Sequence, residues 1–432
     1  MFFRWSLALL VLTAASPAMA LPDGVDHAGL GHESLDLDEL VAEALRAHPR
    51  LLSMREIATA TGEVRSRVGS LPDPIVSVGA SNFRIDDPGL GTSPMTGVVF
   101  GWQQGLPYPG KLARRKELAS RAEDVALERV VATEARVELA VRERYWALHF
   151  AQAALAVTQE SVDIVADLSK VVEARFSVGK AAQQDALQAQ LAESQLLAMI
   201  EEREQALLTA QRELNAAVGR APEDGLGATV EPTVVPLDPE ELRSQLDQNN
   251  PAMSVARAQV EASEAALREA KVELVPDFAV GADYRVRGTV PGDGSQGADM
   301  FSAGVRMSVP LWAATKQGAR IREQRYRSSA AAAGYEDTAL LALTALERGI
   351  DEVQRLDREI DLYRDQVVPQ AEQTLDASID DYTVAEVGFV SVLQNWQILL
   401  TYQLDLERLS MQRARQVARI RALIGGPPET SP

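Results

Sequence analysis

Landmark residues recur in this chain at a nearly fixed interval. Leu35-Asp36, Asp38-Glu39-Leu40 and Pro49 return as Leu237-Asp238, Glu240-Glu241-Leu242 and Pro251. Pro72-Asp73 returns as Pro276-Asp277, and Gly101 and Pro107 return as Gly304 and Pro310. Phe176-x-Val178, Leu187 and Val218-Gly219 return as Tyr382-x-Val384, Leu393 and Ile424-Gly425. The order is kept throughout, so the chain is one unit of roughly 200 residues written twice, and any fold must be built from two copies of one motif.

Each copy opens with a short helix at Asp36 or Asp238, where an acidic residue suits the positive end of the helix dipole. It passes His48-Pro49 or Asn250-Pro251, and a second helix runs to about Gly69 or Lys271. Two segments of period-two alternation follow. In the second copy Phe278, Val280, Ala282, Tyr284 and Val286 alternate with Ala279, Gly281, Asp283 and Arg285, and Phe301, Ala303, Val305, Met307 and Val309 with Ser302, Gly304, Arg306 and Ser308. The first copy repeats this more weakly, with Val76, Val78 and Ala80, then Val98, Phe100 and Trp102, on one face. The connections 86–95 and 288–299 are rich in Gly, Pro, Asp and Ser. Segments of nine or ten residues with one apolar face fit tilted transmembrane strands, and they fit equally a half-buried hairpin on a soluble sheet.

What precedes the first copy favours the membrane. Residues 1–20 carry Arg4, an apolar stretch from Leu7 to Ala15, and Ala18-Met19-Ala20, the layout of a cleaved signal peptide. The alternative is a membrane anchor, but that stretch is short of the roughly 20 residues a spanning helix needs. An exported chain without a spanning helix enters a membrane only as a closed barrel. Four strands cannot close a useful barrel alone, so several chains are required.

Proline is absent from Gly110 through Ala221 and appears only at Pro369 between Leu311 and Gly426. Apolar residues spaced three and four apart predict helices of some 65 residues, roughly 100 Å long, which must pack along their length as coiled coils. Each turns at a glycine-containing break, Val178-Gly179 or Gly388, and a shorter helix returns. The expected plan is a signal peptide at 1–20, a leader at 21–34, a first repeat at 35–219, a linker at 220–236, a second repeat at 237–426 and a tail at 427–432. Within the first repeat it places strands at 74–84 and 97–106, a long helix at 109–175 and a returning helix at 181–218. Within the second it places strands at 277–287 and 300–309, a long helix at 314–382 and a returning helix at 389–424. The fold class is mainly α with a membrane β-barrel.

Taken in order, these residues resemble the outer membrane efflux protein family, of which TolC is the best-known member. The most specific pieces are Leu106-Pro107-Tyr108-Pro109-Gly110-Lys111, Arg175-Phe176-Ser177-Val178-Gly179, and Tyr382-Thr383-Val384 leading to Gly388-Phe389-Val390-Ser391-Val392-Leu393. The resemblance implies a homotrimer whose shared twelve-stranded barrel lies in outer-membrane lipid and continues as a twelve-helix tunnel across the periplasm of a Gram-negative bacterium. It implies that Phe278, Val280, Tyr284, Phe301, Val305, Phe100 and Trp102 face lipid. Arg175, Val178, Gly179, Val384, Gly388 and Phe389 would form the tip that docks a periplasmic adaptor (membrane fusion) protein, itself attached to an inner-membrane pump of the RND or ABC type. Asp185 and Tyr382 match acidic and tyrosine positions beside the two turns and are expected to share a hydrogen bond that gates the tip; Asp185 equally suits a helix start. The sequence departs from members with an acidic entrance ring at Ser391 and Gln394. The Pro-Tyr-Pro-Gly-Lys run is similar to members associated with heavy-metal cation efflux.

No enzyme, cofactor or metal centre is expected. The 43 Lys and Arg against 62 Asp and Glu give a net charge of −19, which argues against a nucleic-acid partner. With no Cys, thiolate chemistry and thiolate zinc sites are excluded. His27 and His32, with Asp23, Asp26 and Glu33, read as a solvated leader or a divalent-metal site. His48 and His149 read as packing or surface residues, and Asp380, Asp381 and Glu386 as a solvated face or a cation-friendly entrance. Two further readings stand beside the efflux duct: a soluble periplasmic coiled-coil adaptor, and an outer-membrane duct for polypeptide (type I) secretion.

Overall fold

The computed structural model describes residues 35–90, 92–93, 95–232, 236–289, 292 and 297–426. The signal peptide and leader expectations, His27 and His32 with them, and the 427–432 tail lie outside the described residues, as do parts of both strand connections.

The two copies fold alike. The first consists of α1 (Leu37–Ala47), α2 (Pro49–Gly69), β1 (Ile75–Ser81), β2 (Gly97–Leu106), α3 (Lys111–Ser177) and α4 (Gln183–Val218). The second consists of α5 (Pro239–Asn249), α6 (Pro251–Val272), β3 (Phe278–Arg287), β4 (Met300–Met307), α7 (Gln317–Leu362), α8 (Val368–Thr383) and α9 (Phe389–Ile424). Helix starts repeat in chemistry as well as position. Asp36 caps α1 by accepting from the Asp38 and Glu39 amides, and Asp238 caps α5 by accepting from Glu240. Pro49 and Pro251 occupy the first turns of α2 and α6, where a missing N–H costs nothing.

At 67 residues α3 is about 100 Å long. Its buried residues keep coiled-coil spacing, for example Ser161, Val165, Leu168 and Val172. The matching helix of the second copy is not continuous α-helix. Between α7 and α8 lies one π turn, Tyr363–Val367, with Pro369 just beyond it in the first turn of α8. A proline cannot donate to the carbonyl four residues back, and the wider turn absorbs that break without ending the rod.

The three largest hydrophobic cores among the described residues join the rods. Leu40, Val41 and Ala44 of α1 pack on Val137, Val141 and Leu148 of α3 and Leu214 of α4. The equivalent Leu242 and Leu246 of α5 pack on Leu346, Ile350, Ile420 and Ile424. At the far end α3, α4, α8 and α9 meet around Val172, Leu196, Leu375, Tyr382, Phe389, Val392 and Trp396. Here α4 packs on α3, α3 on α9 and α9 on α8, so α4 and α8 are the outer helices of the layer.

The four strands form one antiparallel sheet in the order β1-β2-β3-β4. Its edges, β1 and β4, have no partner strand among the described residues.

Candidate functional site

Two regions carry the recognisable chemistry: the sheet and the far tip of the rods. In the sheet, register decides everything. Val78 pairs with Phe100, Phe100 with Tyr284, and Tyr284 with Phe301. Trp102 pairs with Val76 and Ala282, Val280 with Gln104 and Val305, and Phe278 with Leu106 and Met307. Every apolar series read from the sequence therefore falls on the same face. The face is open, with Val76 74%, Phe301 70% and Val305 73% exposed, which in water alone would be an aggregation hazard. The opposite face is paved with small and polar residues, among them Ser77, Gly79, Gly101, Gln103, Gly281, Ser302 and Gly304. All strand charges, Asp283, Arg285, Arg287 and Arg306, lie on it.

The base of the sheet is riveted to the helices. Lys111, itself buried, pairs with Asp277 at 2.9 Å, and the Tyr108 amide donates to the same carboxylate oxygen at 3.0 Å. Arg320 bridges Glu269 and Glu273 at 2.9 and 3.0 Å, and Arg115 adds Glu273 at 3.3 Å. Burial pushes the Glu269 carboxyl above its usual range. Lys111, the last residue of the Pro-Tyr-Pro-Gly-Lys run, thus serves the joint between sheet and rods. Higher up, the Tyr145 hydroxyl donates to the Leu35 carbonyl at 3.0 Å and accepts from the Val230 amide at 2.9 Å. The Thr229 hydroxyl donates to Gln152 at 2.7 Å, which leaves His149 Nδ1, 2.8 Å away, as the donor to Thr229. Burial lowers the His149 pKa, so its ring is a neutral strap for the linker.

At the tip the duplication shows atom by atom. Gly179 and Ala385 both have positive φ, +70° and +69°, and their amides donate to Phe176 and Tyr382 carbonyls at 2.9 and 3.1 Å. The Lys180 and Glu386 amides then reach back to Arg175 and Asp381 at 2.8 and 2.9 Å. The second turn therefore pivots on Ala385. Gly388, expected to be the break, is instead the N-cap of α9. A left-handed alanine gave no glycine signal to read.

Arg175 folds over this joint. Its guanidinium lies 4.6 Å from the centre of the Tyr382 ring and donates to the Tyr382 carbonyl and, at 3.4 Å, to Lys180. The Tyr382 hydroxyl stands 3.5 Å from Asp185 Oδ2, the outer limit of a hydrogen bond. Burial first, and then the Asp185 carboxylate, raise the phenol's pKa, while Arg175 opposes them. Val178 and Val384 are exposed at 65% and 67%. Phe389 is not part of that surface: it is 1% exposed, its ring 5.5 Å from Tyr382 in the four-helix core, because it opens α9 facing inward. Sequence reading missed Arg175 as a clasp, since nothing in Arg-Phe-Ser-Val-Gly says that its side chain crosses to α8. Asp380 and Glu386 are exposed and Asp381 is half-buried. Among the described residues, no group of three or more His, Asp or Glu is arranged to hold a metal, and no helix is long and apolar enough to cross a membrane.

An open apolar sheet face backed by a polar one, fixed to rods of periplasmic length, defines an outer-membrane channel protein with a helical stalk. The model of the outer membrane efflux protein family matches residues 66–220 and 242–426, one match per copy. The chain belongs to that family, sits in the outer membrane and extends into the periplasm. Solved structures share the fold at low identity. The outer membrane protein VceC of Vibrio cholerae superposes with a TM-score of 0.75 at 18% identity, over 90% of this chain and 96% of that one. CusC gives 0.77 at 17%, over 96% and 100%. The open state of the MtrE outer membrane channel of Neisseria gonorrhoeae gives 0.69 at 15%, over 90% and 89%. No curated protein sequence matches.

Proposed function

We propose that this chain is the passive exit duct of a tripartite efflux system, working as a homotrimer that receives cargo from an inner-membrane pump through a periplasmic adaptor. The observation that carries the trimer is the sheet's open edges. Backbone groups cannot be left unpaired in hydrocarbon, so β1 and β4 must find partners. Strand directions alternate along β1-β2-β3-β4, so β4 of one chain meets β1 of the next in the same antiparallel sense, and the contact closes into a ring. Three chains give twelve strands, in keeping with the fold of the family. The outer helices agree, since α4 leaves Leu187, Leu191 and Leu197 exposed and α7 leaves Tyr326, Leu340 and Leu341 exposed.

The mechanism is conduction without bond chemistry. The pump supplies energy, and opening amounts to separating the helix pairs at the tip. The Arg175, Tyr382 and Asp185 cluster joins α3, α4 and α8 and so resists that separation. Val178, Gly179, Val384 and Gly388 present the surface an adaptor would grip, with exposed Phe176 beside them. Buried Arg175 Nε, Gln188 Oε1 and Trp396 Nε1 lack hydrogen-bond partners among the described residues, which suits a tip that rearranges. Metal cations are the cargo class favoured by the Pro107–Lys111 run and the −19 charge; the charges inside the sheet point the other way.

Planar-bilayer recording of detergent-purified protein, with a cross-linked mass to count chains, tests the proposal. Trimers that insert and pass small currents, held nearly closed at the tip, are expected. A water-soluble protein that never inserts would leave the adaptor reading in its place.

A further inference from the structure

We infer that the barrel is an anion-favouring exit, although the chain as a whole is strongly acidic. The inference rests on the duct reading above. The strands contain four charged residues, Asp283, Arg285, Arg287 and Arg306, and all four lie on the lumen face. Arginine outnumbers aspartate there by three to one, the reverse of the balance in the whole sequence.

The rest of that face makes these charges count. It is lined mainly by glycine, serine and alanine, which neither narrow the lumen nor screen a charge. Arg285 and Arg306 form no ion pair with any described residue: Arg285 donates to the Met95 carbonyl at 3.2 Å and Arg306 to the Gln103 side chain, so both keep their full charge. Of the described acids just outside the strands, Asp73 and Asp87 stand exposed at the rims, and three others are engaged. Asp277 is paired with Lys111, Asp86 with Arg84, and Asp299 accepts from the Tyr284 hydroxyl at 2.6 Å and the Arg287 amide at 3.1 Å.

Placement along the strands adds a direction. Arg306 pairs with Ala279, near the end of β3 that joins the helices, while Arg285 lies six residues further out and Asp283 between them. Three chains would set an arginine ring at the inner mouth, an aspartate ring in the middle and an arginine ring toward the outside. Anionic cargo is drawn in at both ends, and a bare cation meets a repulsive ring first from either side. A metal ion then leaves readily only as a neutral or anionic complex. Such rings act over a Debye length of about 8–10 Å near 0.1–0.15 M salt and about 3 Å at 1 M, so the preference belongs to low salt.

The test uses the full-length trimer in planar bilayers at 0.1 M KCl, with inorganic tripolyphosphate or hexaamminecobalt(III) added from the barrel side. Tripolyphosphate should block at a concentration at least about tenfold lower than the trivalent cation, and 1 M KCl should abolish the difference. The double variant Arg285→Gln/Arg306→Gln should lose that block about tenfold while its conductance at 1 M KCl stays near wild type. Should the double variant fail to assemble, Asp283→Asn supplies the opposite arm and should strengthen the polyanion block. Stronger block by the cation, or a polyanion block indifferent to all three residues, would overturn the inference. A protein that gives no channel even at 1 M KCl would overturn the duct reading itself, an outcome distinct from a conducting channel that ignores polyanions.

Discussion

At the scale of single residues, the tip shows which contacts have the magnitude to matter. Arg175 offers charged hydrogen bonds to carbonyls on both sides of the joint and a stacked ring, whereas the Tyr382 hydroxyl reaches Asp185 only at 3.5 Å. Charged hydrogen bonds are worth about 1.5–3 kcal/mol each and a contact at the distance limit far less. Arg175→Ala is therefore expected to raise the resting conductance of the purified channel by roughly tenfold, and Tyr382→Phe only slightly; equal effects would mean that the hydroxyl, not the guanidinium, holds the tip. The nearness of Asp185 and Tyr382 was legible in the sequence because both residues sit at fixed distances from the two turns. The Arg175 clasp was not, because it depends on which way one side chain bends between helices more than 200 residues apart in sequence. Phe389 shows the same gap: its place beside the turn was readable, its inward direction was not.

Elements were the most legible level. Period-two alternation gave each strand one apolar series before any pairing was known, and the register then put the four series on one face, while Ile75, Val99 and Met300 fall on the other. This separation predicts opposite responses to one substitution. Val305→Arg places a charge on the proposed lipid face and should cost about 2–4 kcal/mol, read as loss of membrane insertion and of heat-stable oligomers. Ser302→Arg, three residues away on the lumen face, should insert and assemble normally. Comparable losses in both variants would contradict the assignment of faces. Where the elements departed from expectation, the cause is local. Pro369 left the rod intact by way of a π turn, and Ala385 took a left-handed conformation that its glycine counterpart, Gly179, adopts without strain.

At the scale of the whole molecule, the duplication explains why one chain is unfinished. Two hairpins make a sheet with two bare edges, and two pairs of rods make a layer with two bare sides. In the proposed trimer both are completed by the same neighbour in the same rotational sense, so sheet and stalk close together. Because the chain contains no cysteine, introduced cysteines test this closure directly. Within one chain β1 and β4 are separated by three strand spacings, about 14 Å, too far for a disulfide, whose Cα atoms lie within about 7 Å. The measurement is to combine Val78→Cys on β1 with Phe301→Cys, Ala303→Cys or Val305→Cys on β4 in turn, oxidise the protein in outer membranes, and read its mass without reductant. One pairing is predicted to yield a covalent species of three chains and nothing larger. Protein that stays monomeric in every pairing, stops at dimers, or forms an open ladder beyond three chains would contradict the account.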